Sequence, residues 1–224
     1  MKFTKTLLTT ALFSFSVLSA SQMAYAETND AELVQLLSGG EQLQQALEAL
    51  LNDELDTAIS LAQPLAEQGN VVAQNALGLA YEGKEEYFQA FKWYQKAAEQ
   101  GLAKAQFNLG HMYYNGQGVK QDYFQAFKWT QKAAEQGDAK AQYSLGYLYD
   151  KGRGVKQDDF QAVKWYQKAA EQGYADAQTN LGVRYALGKG VKLDRNLAKM
   201  WAGKGCDNGN QNGCELYRIL NEGK

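Results

Sequence analysis

From about residue 69 onward, apolar and polar positions recur in blocks of 36. Within 101–136, Ala105, Leu109, Met112 and Tyr113 fall at i, i+4, i+7 and i+8, the stripe of an amphipathic helix. Gly110 lies inside that stripe, where glycine costs about 1 kcal/mol relative to alanine. It recurs as Gly78, Gly146 and Gly182, which points to close helix–helix approach as the compensation. The stripe ends near Asn115-Gly116, and Gly-x-Gly-Val-Lys supplies a turn. A second helix is predicted from Asp122. The pairs Asp122/Gln125 and Asp158/Gln161 have capping-box spacing. Phe124, Phe127, Trp129, Ala133 and Ala134 are expected to be its buried residues, with Gly137 as its C′ glycine.

Self-comparison extends this unit along the chain. Residues 101–136 and 137–172 match at 25 of 36 positions, and Trp93, Trp129, Trp165 and Trp201 stand 36 apart. The predicted repeats are 69–100, 101–136, 137–172 and 173–208, the first lacking four residues of its central loop. One helical hairpin cannot bury its own apolar face, but stacked neighbours can. The predicted fold is therefore all-α, an α/α superhelix or solenoid of helix–turn–helix repeats. Residues 27–68 are expected to form an atypical first hairpin, interrupted at Ser38-Gly39-Gly40 and kinked at Pro64. Residues 209–224 are expected to form a half-repeat capping helix, with Asn221 in the place of an inner tyrosine. The tryptophans and the inner Tyr81, Tyr113, Tyr149 and Tyr185 are expected in the core. Gln74, Gln106, Gln142 and Gln178 are expected to hydrogen-bond between repeats.

The N-terminus has a different pattern. Lys2 and Lys5 precede an apolar stretch, Leu7 to Ala20, and Ala24-Tyr25-Ala26 is a small-x-small cleavage site. This predicts a signal peptide, residues 1–26, cleaved after Ala26; an uncleaved anchor is the alternative. Export would place the mature chain in the periplasm or outside the cell. Loss of the two lysines takes the formal charge from −2 to −4, without the basic excess of a nucleic-acid binder. No later segment is apolar enough to span a bilayer, so no membrane insertion is expected after cleavage, and a monomer is expected. In an oxidising compartment Cys206 and Cys214 are expected to form a disulfide. A metal site is the alternative reading of the pair, but the chain has one histidine, His111, and zinc needs four ligands.

The frame AQxxLGxxYxxGxGVKQDxxQAxKWxxKAAEQG resembles the Sel-1-like repeat family, a relative of the tetratricopeptide repeats, from about Gln63 to the C-terminus. The resemblance implies an adaptor that builds complexes, with exported bacterial members acting in the envelope or at host contacts. Glu82-Gly83-Lys84 departs from the family's central turn. Cys206 and Cys214 also resemble the pairs of the family's cysteine-rich branch, some of whose members bind or hydrolyse β-lactams. That branch carries a pair in nearly every repeat, and this chain carries one.

The residues themselves offer little to an enzyme. Ser38, Ser60 and Ser144 are the serines after residue 26, and none begins a Ser-x-x-Lys motif. The Gly-x-Gly-Val-Lys turns lack a third glycine, follow no strand and contain no Gly-Lys-Ser/Thr. No cofactor, metal or catalytic group is expected. A β-lactam-active or cell-wall-processing enzyme and a structural envelope protein remain the alternatives to a binding scaffold.

The two most similar repeats differ mainly on the first helix: Phe107/Tyr143, Asn108/Ser144, His111/Tyr147, Tyr114/Asp150 and Asn115/Lys151. In tetratricopeptide-like stacks the first helices line the concave face. A partner-binding patch of Phe107, His111, Tyr114, Tyr143, Tyr147 and Asp150 is therefore predicted for a protein or peptide. The alternative is that Phe107 and Tyr143 only pack between adjacent first helices.

Overall fold

The computed structural model describes residues 31–222, so the expected signal peptide lies outside the described residues. Among the described residues all regular structure is helical. The helices are α1 (Ala31–Leu51), α2 (Leu55–Glu67), α3 (Val71–Gly83), α4 (Tyr87–Glu99), α5 (Ala103–Asn115), α6 (Tyr123–Glu135), α7 (Ala139–Lys151), α8 (Asp159–Glu171), α9 (Ala175–Leu187), α10 (Arg195–Asp207) and α11 (Gln211–Asn221). They fall into two compact units, divided between Ala105 and Gln106. In the first, α2 packs on α1 and α3, α4 packs on α3, and α1 reaches α3. In the second, each helix from α6 to α11 packs on the next, and α9 reaches α11.

The helix ends follow from their capping residues. The Asp122 side chain accepts hydrogen bonds from the amides of Phe124 and Gln125 at 2.9 and 3.0 Å. Asp158 and Asp194 accept from Gln161 and Leu197 in the same way. Gly137 closes α6 with φ 97°, a conformation that suits glycine. In the N-terminal hairpin, α1 breaks at Gly40, where φ is 54° and ψ −150°. Pro64 does not end α2, which continues to Glu67.

The second-helix core is built from small residues. Ala90, Ala126, Ala162 and Ala198 are all buried, as are Ala97, Ala133, Ala169 and Ala202. The first helices meet this alanine surface with a glycine. A Cβ on Gly78 would strike the Tyr94 ring, and one on Gly146 would come within 2.7 Å of the Tyr166 ring. The close approach expected from these glycines is thus present, and Tyr94 and Tyr166 are among the largest fully buried side chains.

Several side chains expected in the core lie nearer the surface. Phe124 is 62% exposed, because it lies on the outer face of the first turn of α6 while Ala126 faces inward. Phe127 and Trp129 are only half-buried. Trp93 is half-buried too, whereas Trp165 and Trp201 are buried. Each indole is covered by the lysine three residues on, with Nζ 3.9–4.5 Å from the ring centroid. These tryptophans seal the edge of the alanine layer, with a cation over the ring. The inner tyrosines are likewise half-buried.

The recurrent glutamines form the polar joint between repeats. Gln74, Gln142 and Gln178 donate to the carbonyls of Ala66, Ala134 and Ala170, each eight residues earlier in the preceding second helix. Their own carbonyls accept from Gln100, Gln172 and Asn208 at 2.7–2.8 Å, and Gln106 accepts from Gln136 at 2.8 Å. In the same frame, the next carbonyl position is Cys206 and the next glutamine position is Cys214. Those two residues are joined by a disulfide with Cα atoms 4.4 Å apart and the same eight-residue separation. The last joint of the stack is thus covalent where the others are hydrogen-bonded.

Candidate functional site

The site lies on the first helices of the second unit. Residues Phe107, His111, Tyr114, Tyr143 and Tyr147 line one open cavity of about 310 Å³, together with Gly110, Asn115, Thr130, Ser144 and Leu148. Five of the six residues expected to form a patch therefore meet at one place. They do so because 107, 111 and 114 share one side of α5, and 143 and 147 share one side of α7. The lining aromatics are half-buried, and His111 is exposed. Asn115 Nδ2 sits 3.0 Å from His111 Nε2. Tyr114 meets Tyr147 edge-on, with centroids 6.4 Å apart, and Tyr123 at 5.2 Å. The Arg153 guanidinium lies over all three rings, 5.2–5.9 Å from their centroids.

Tyr143 both packs and lines. Its ring packs at a tilt against Tyr166 and Tyr174, with centroids 5.6 and 5.2 Å apart, and it walls a second cavity of about 410 Å³ as well as the first. Burial, with Asp176 next in importance, raises the Tyr143 pKa. Burial pushes Tyr174 up to about 12 and raises Tyr166 as well.

Asp150 departs from the expected patch. It lines the second cavity rather than the first and is only 8% exposed. Arg184, also buried, pairs with it at 2.5 Å and donates to Asp159 at 2.9 Å. Lys151 and Lys189 complete the cluster, at 3.3 Å from Asp150 and 3.3 Å from Asp159. Burial alone would raise the Asp150 pKa, but the hydrogen bond and charge of Arg184, with help from Lys151, hold it below the ordinary carboxylate range. A carboxylate so engaged is held at the repeat junction by the cations around it.

Leu148 and Thr130 also line the cavity, at positions the variable face does not single out. Thr130 stands where the first repeat has Tyr94 and the third has Tyr166, and a Cβ on Gly110 would lie 2.7 Å from Thr130 Oγ1. The Thr130/Tyr166 difference is visible in the repeat alignment, but it falls in a helix otherwise nearly identical between the two copies. Among the described residues no group of three or more His, Cys, Asp or Glu could hold a metal ion. Among them, too, no helix is long and apolar enough to cross a membrane.

Comparison with known proteins agrees with this architecture. The family model described as Sel1 repeat matches four consecutive segments, 71–102, 103–138, 139–174 and 175–210. The chain is similar to c5321, a protective antigen of uropathogenic Escherichia coli strains displaying an SLR fold. The identity is 37% and the TM-score 0.75, over 88% of this chain and 44% of that one. It is also similar to a Sel1 repeat protein from Oxalobacter formigenes, at 32% identity and a TM-score of 0.70, over 89% of this chain and 81% of that one. A putative sel1-like repeat-containing protein, L21, of Acanthamoeba polyphaga mimivirus is 46% identical over 54 residues, 22% of this chain and 10% of that protein. The matches to curated relatives span only 10–13% of those proteins' own length.

Proposed function

The chain belongs to the Sel1 repeat family, and from that premise we propose that it is an exported scaffold holding a protein or peptide partner on the first-helix face of its second unit. Sel1 repeats generally mediate protein–protein interaction. The observation that carries the reading is the convergence of Phe107, Tyr114, Tyr143 and Tyr147 on one open cavity. Half-buried aromatic rings around a concavity lose little conformational entropy on binding and supply large apolar contact, which makes them good anchors. The signal-peptide pattern of residues 1–26 supports export to the periplasm or beyond.

The test is a photo-crosslinking residue at position 111, which is exposed at the cavity, followed by identification and purification of what it captures. Phe107→Ala/Tyr143→Ala/Tyr147→Ala is expected to weaken that purified partner by about a hundredfold or more while helicity is retained. Undiminished affinity in the triple variant would remove the groove from consideration.

A further inference from the structure

The cavity has a specific origin in the repeat frame. In the first repeat the Tyr94 ring fills the space above Gly78, and its hydroxyl donates to Glu82 at 2.6 Å. In the third, Tyr166 fills the space above Gly146, at the end of a helix that carries Asp150 in the place of Glu82. In the fourth, Ala202 stands at the tyrosine position, and Leu216 of α11 reaches to within 3.3 Å of a Cβ on Gly182. The second repeat alone among the four has neither filler. Thr130 replaces the tyrosine, Tyr114 replaces the acid and turns toward Tyr123 and Tyr147, and the open cavity of about 310 Å³ is what remains.

We infer that this cavity receives an aromatic side chain, phenylalanine or tyrosine, from a partner polypeptide, with a carboxylate beside that ring meeting Arg153. The ring is specified by the repeat itself, because two sister repeats close the same space with a tyrosine of their own. The volume suffices, since an apolar cavity of roughly 150 Å³ already holds benzene. The charge is specified by the cation that lies over two of the lining rings. Arg153 lies over Tyr114 and Tyr147, and no carboxylate is within ion-pair distance of it among the described residues. A peptide with an acidic residue next to its aromatic residue complements both features. This inference rests on the groove reading above and narrows it to a class of ligand.

The probes are p-cresol for the ring and acetyl-Asp-Tyr-amide for ring plus charge, titrated into the full chain and followed at the Thr130 methyl resonance. Both are expected to shift it saturably, the acidic peptide binding several-fold more tightly than acetyl-Lys-Tyr-amide. Thr130→Tyr supplies the missing ring and is expected to weaken both probes at least tenfold. Should that variant fold poorly, Thr130→Tyr/Tyr114→Glu restores the Tyr94–Glu82 pairing of the first repeat and carries the same expectation. Equal binding in these filled variants, or no shift of the Thr130 methyl at millimolar p-cresol, overturns the inference. If the probes fail while the triple alanine variant still loses its captured partner, the groove reading stands and only the aromatic occupant falls. If the triple variant loses nothing, the groove reading itself falls.

Discussion

Asp150 and Arg184 show how a single residue changes role between repeats. Arg184 occupies a position that is Met112 and Leu148 in the two preceding repeats, an apolar place in the sequence pattern. Its charge is tolerated because Asp150 and Asp159 both receive it. The pairing of Asp150 is therefore invisible from Asp150's own repeat, which is why sequence reasoning placed it on an open surface. Removing one partner of a buried ion pair leaves the other uncompensated. Asp150→Asn is expected to cost about 3 kcal/mol in urea unfolding at neutral pH, with Asp159 keeping the loss at the low end. The pH dependence has a definite sign. Because the folded carboxyl titrates below its ordinary value of 3.8, its contribution is complete above that value and is lost as pH falls through the lower folded one. Asp150→Asn should accordingly flatten the stability profile on the acid side. A variant as acid-sensitive as the parent would show that other carboxylates govern acid unfolding.

At the scale of the element, the same three positions close two successive junctions by different chemistry. Tyr114, Tyr123 and Arg153 become, 36 residues on, Asp150, Asp159 and Lys189: a cation over rings in one case, a cation between carboxylates in the other. The turn that brings Arg153 and Lys189 to these places depends on its second glycine. Gly154 has φ 71°, and a Cβ on it would collide with the Tyr123 carbonyl; Gly190 stands against Asp159 in the same way. Gly154→Ala is expected to destabilise the chain by about 2 kcal/mol by thermal or urea melting, from the left-handed backbone and the steric overlap together. A change within about 0.5 kcal/mol would mean that the turn can move away from α6 freely. Elements of this kind were largely legible in the sequence. Aspartate caps, C′ glycines and the recurrent glutamines each have a local physical requirement that one repeat suffices to state. Periodicity places Phe124 and Trp129 in the core because it does not say how wide the buried stripe is; in α6 the stripe is narrow, filled by Ala126, Thr130, Ala133 and Ala134. The cavity at Thr130 was missed for the opposite reason. It is a difference between copies, within a helix most of whose other positions are repeated.

At the scale of the whole molecule, a repeat protein is held by its joints, each adding to the stability of its neighbours. Three of those joints carry a glutamine-to-carbonyl hydrogen bond, and the last carries Cys206–Cys214 in its place. For so short a closed loop the chain-entropy estimate is roughly 2–3 kcal/mol, more than the ~1 kcal/mol of a hydrogen bond. Cys206→Ser/Cys214→Ser is expected to lower stability by about that larger amount and to speed hydrogen exchange in α11 first. Cys206→Ala/Cys214→Gln rebuilds the residue pair of the earlier joints and should recover part of the loss. If it does no better than the serine pair, the equivalence of the two kinds of joint is wrong.

The disulfide also gives the stack a sense of place. Hydrogen-bonded joints form wherever the chain folds, but a sulfur–sulfur joint persists only where thiols are oxidised. A copy retained in a reducing compartment would keep its groove and its hydrogen-bonded joints while its final helix stayed loosely attached, so that completion of the molecule becomes a record of where it has been.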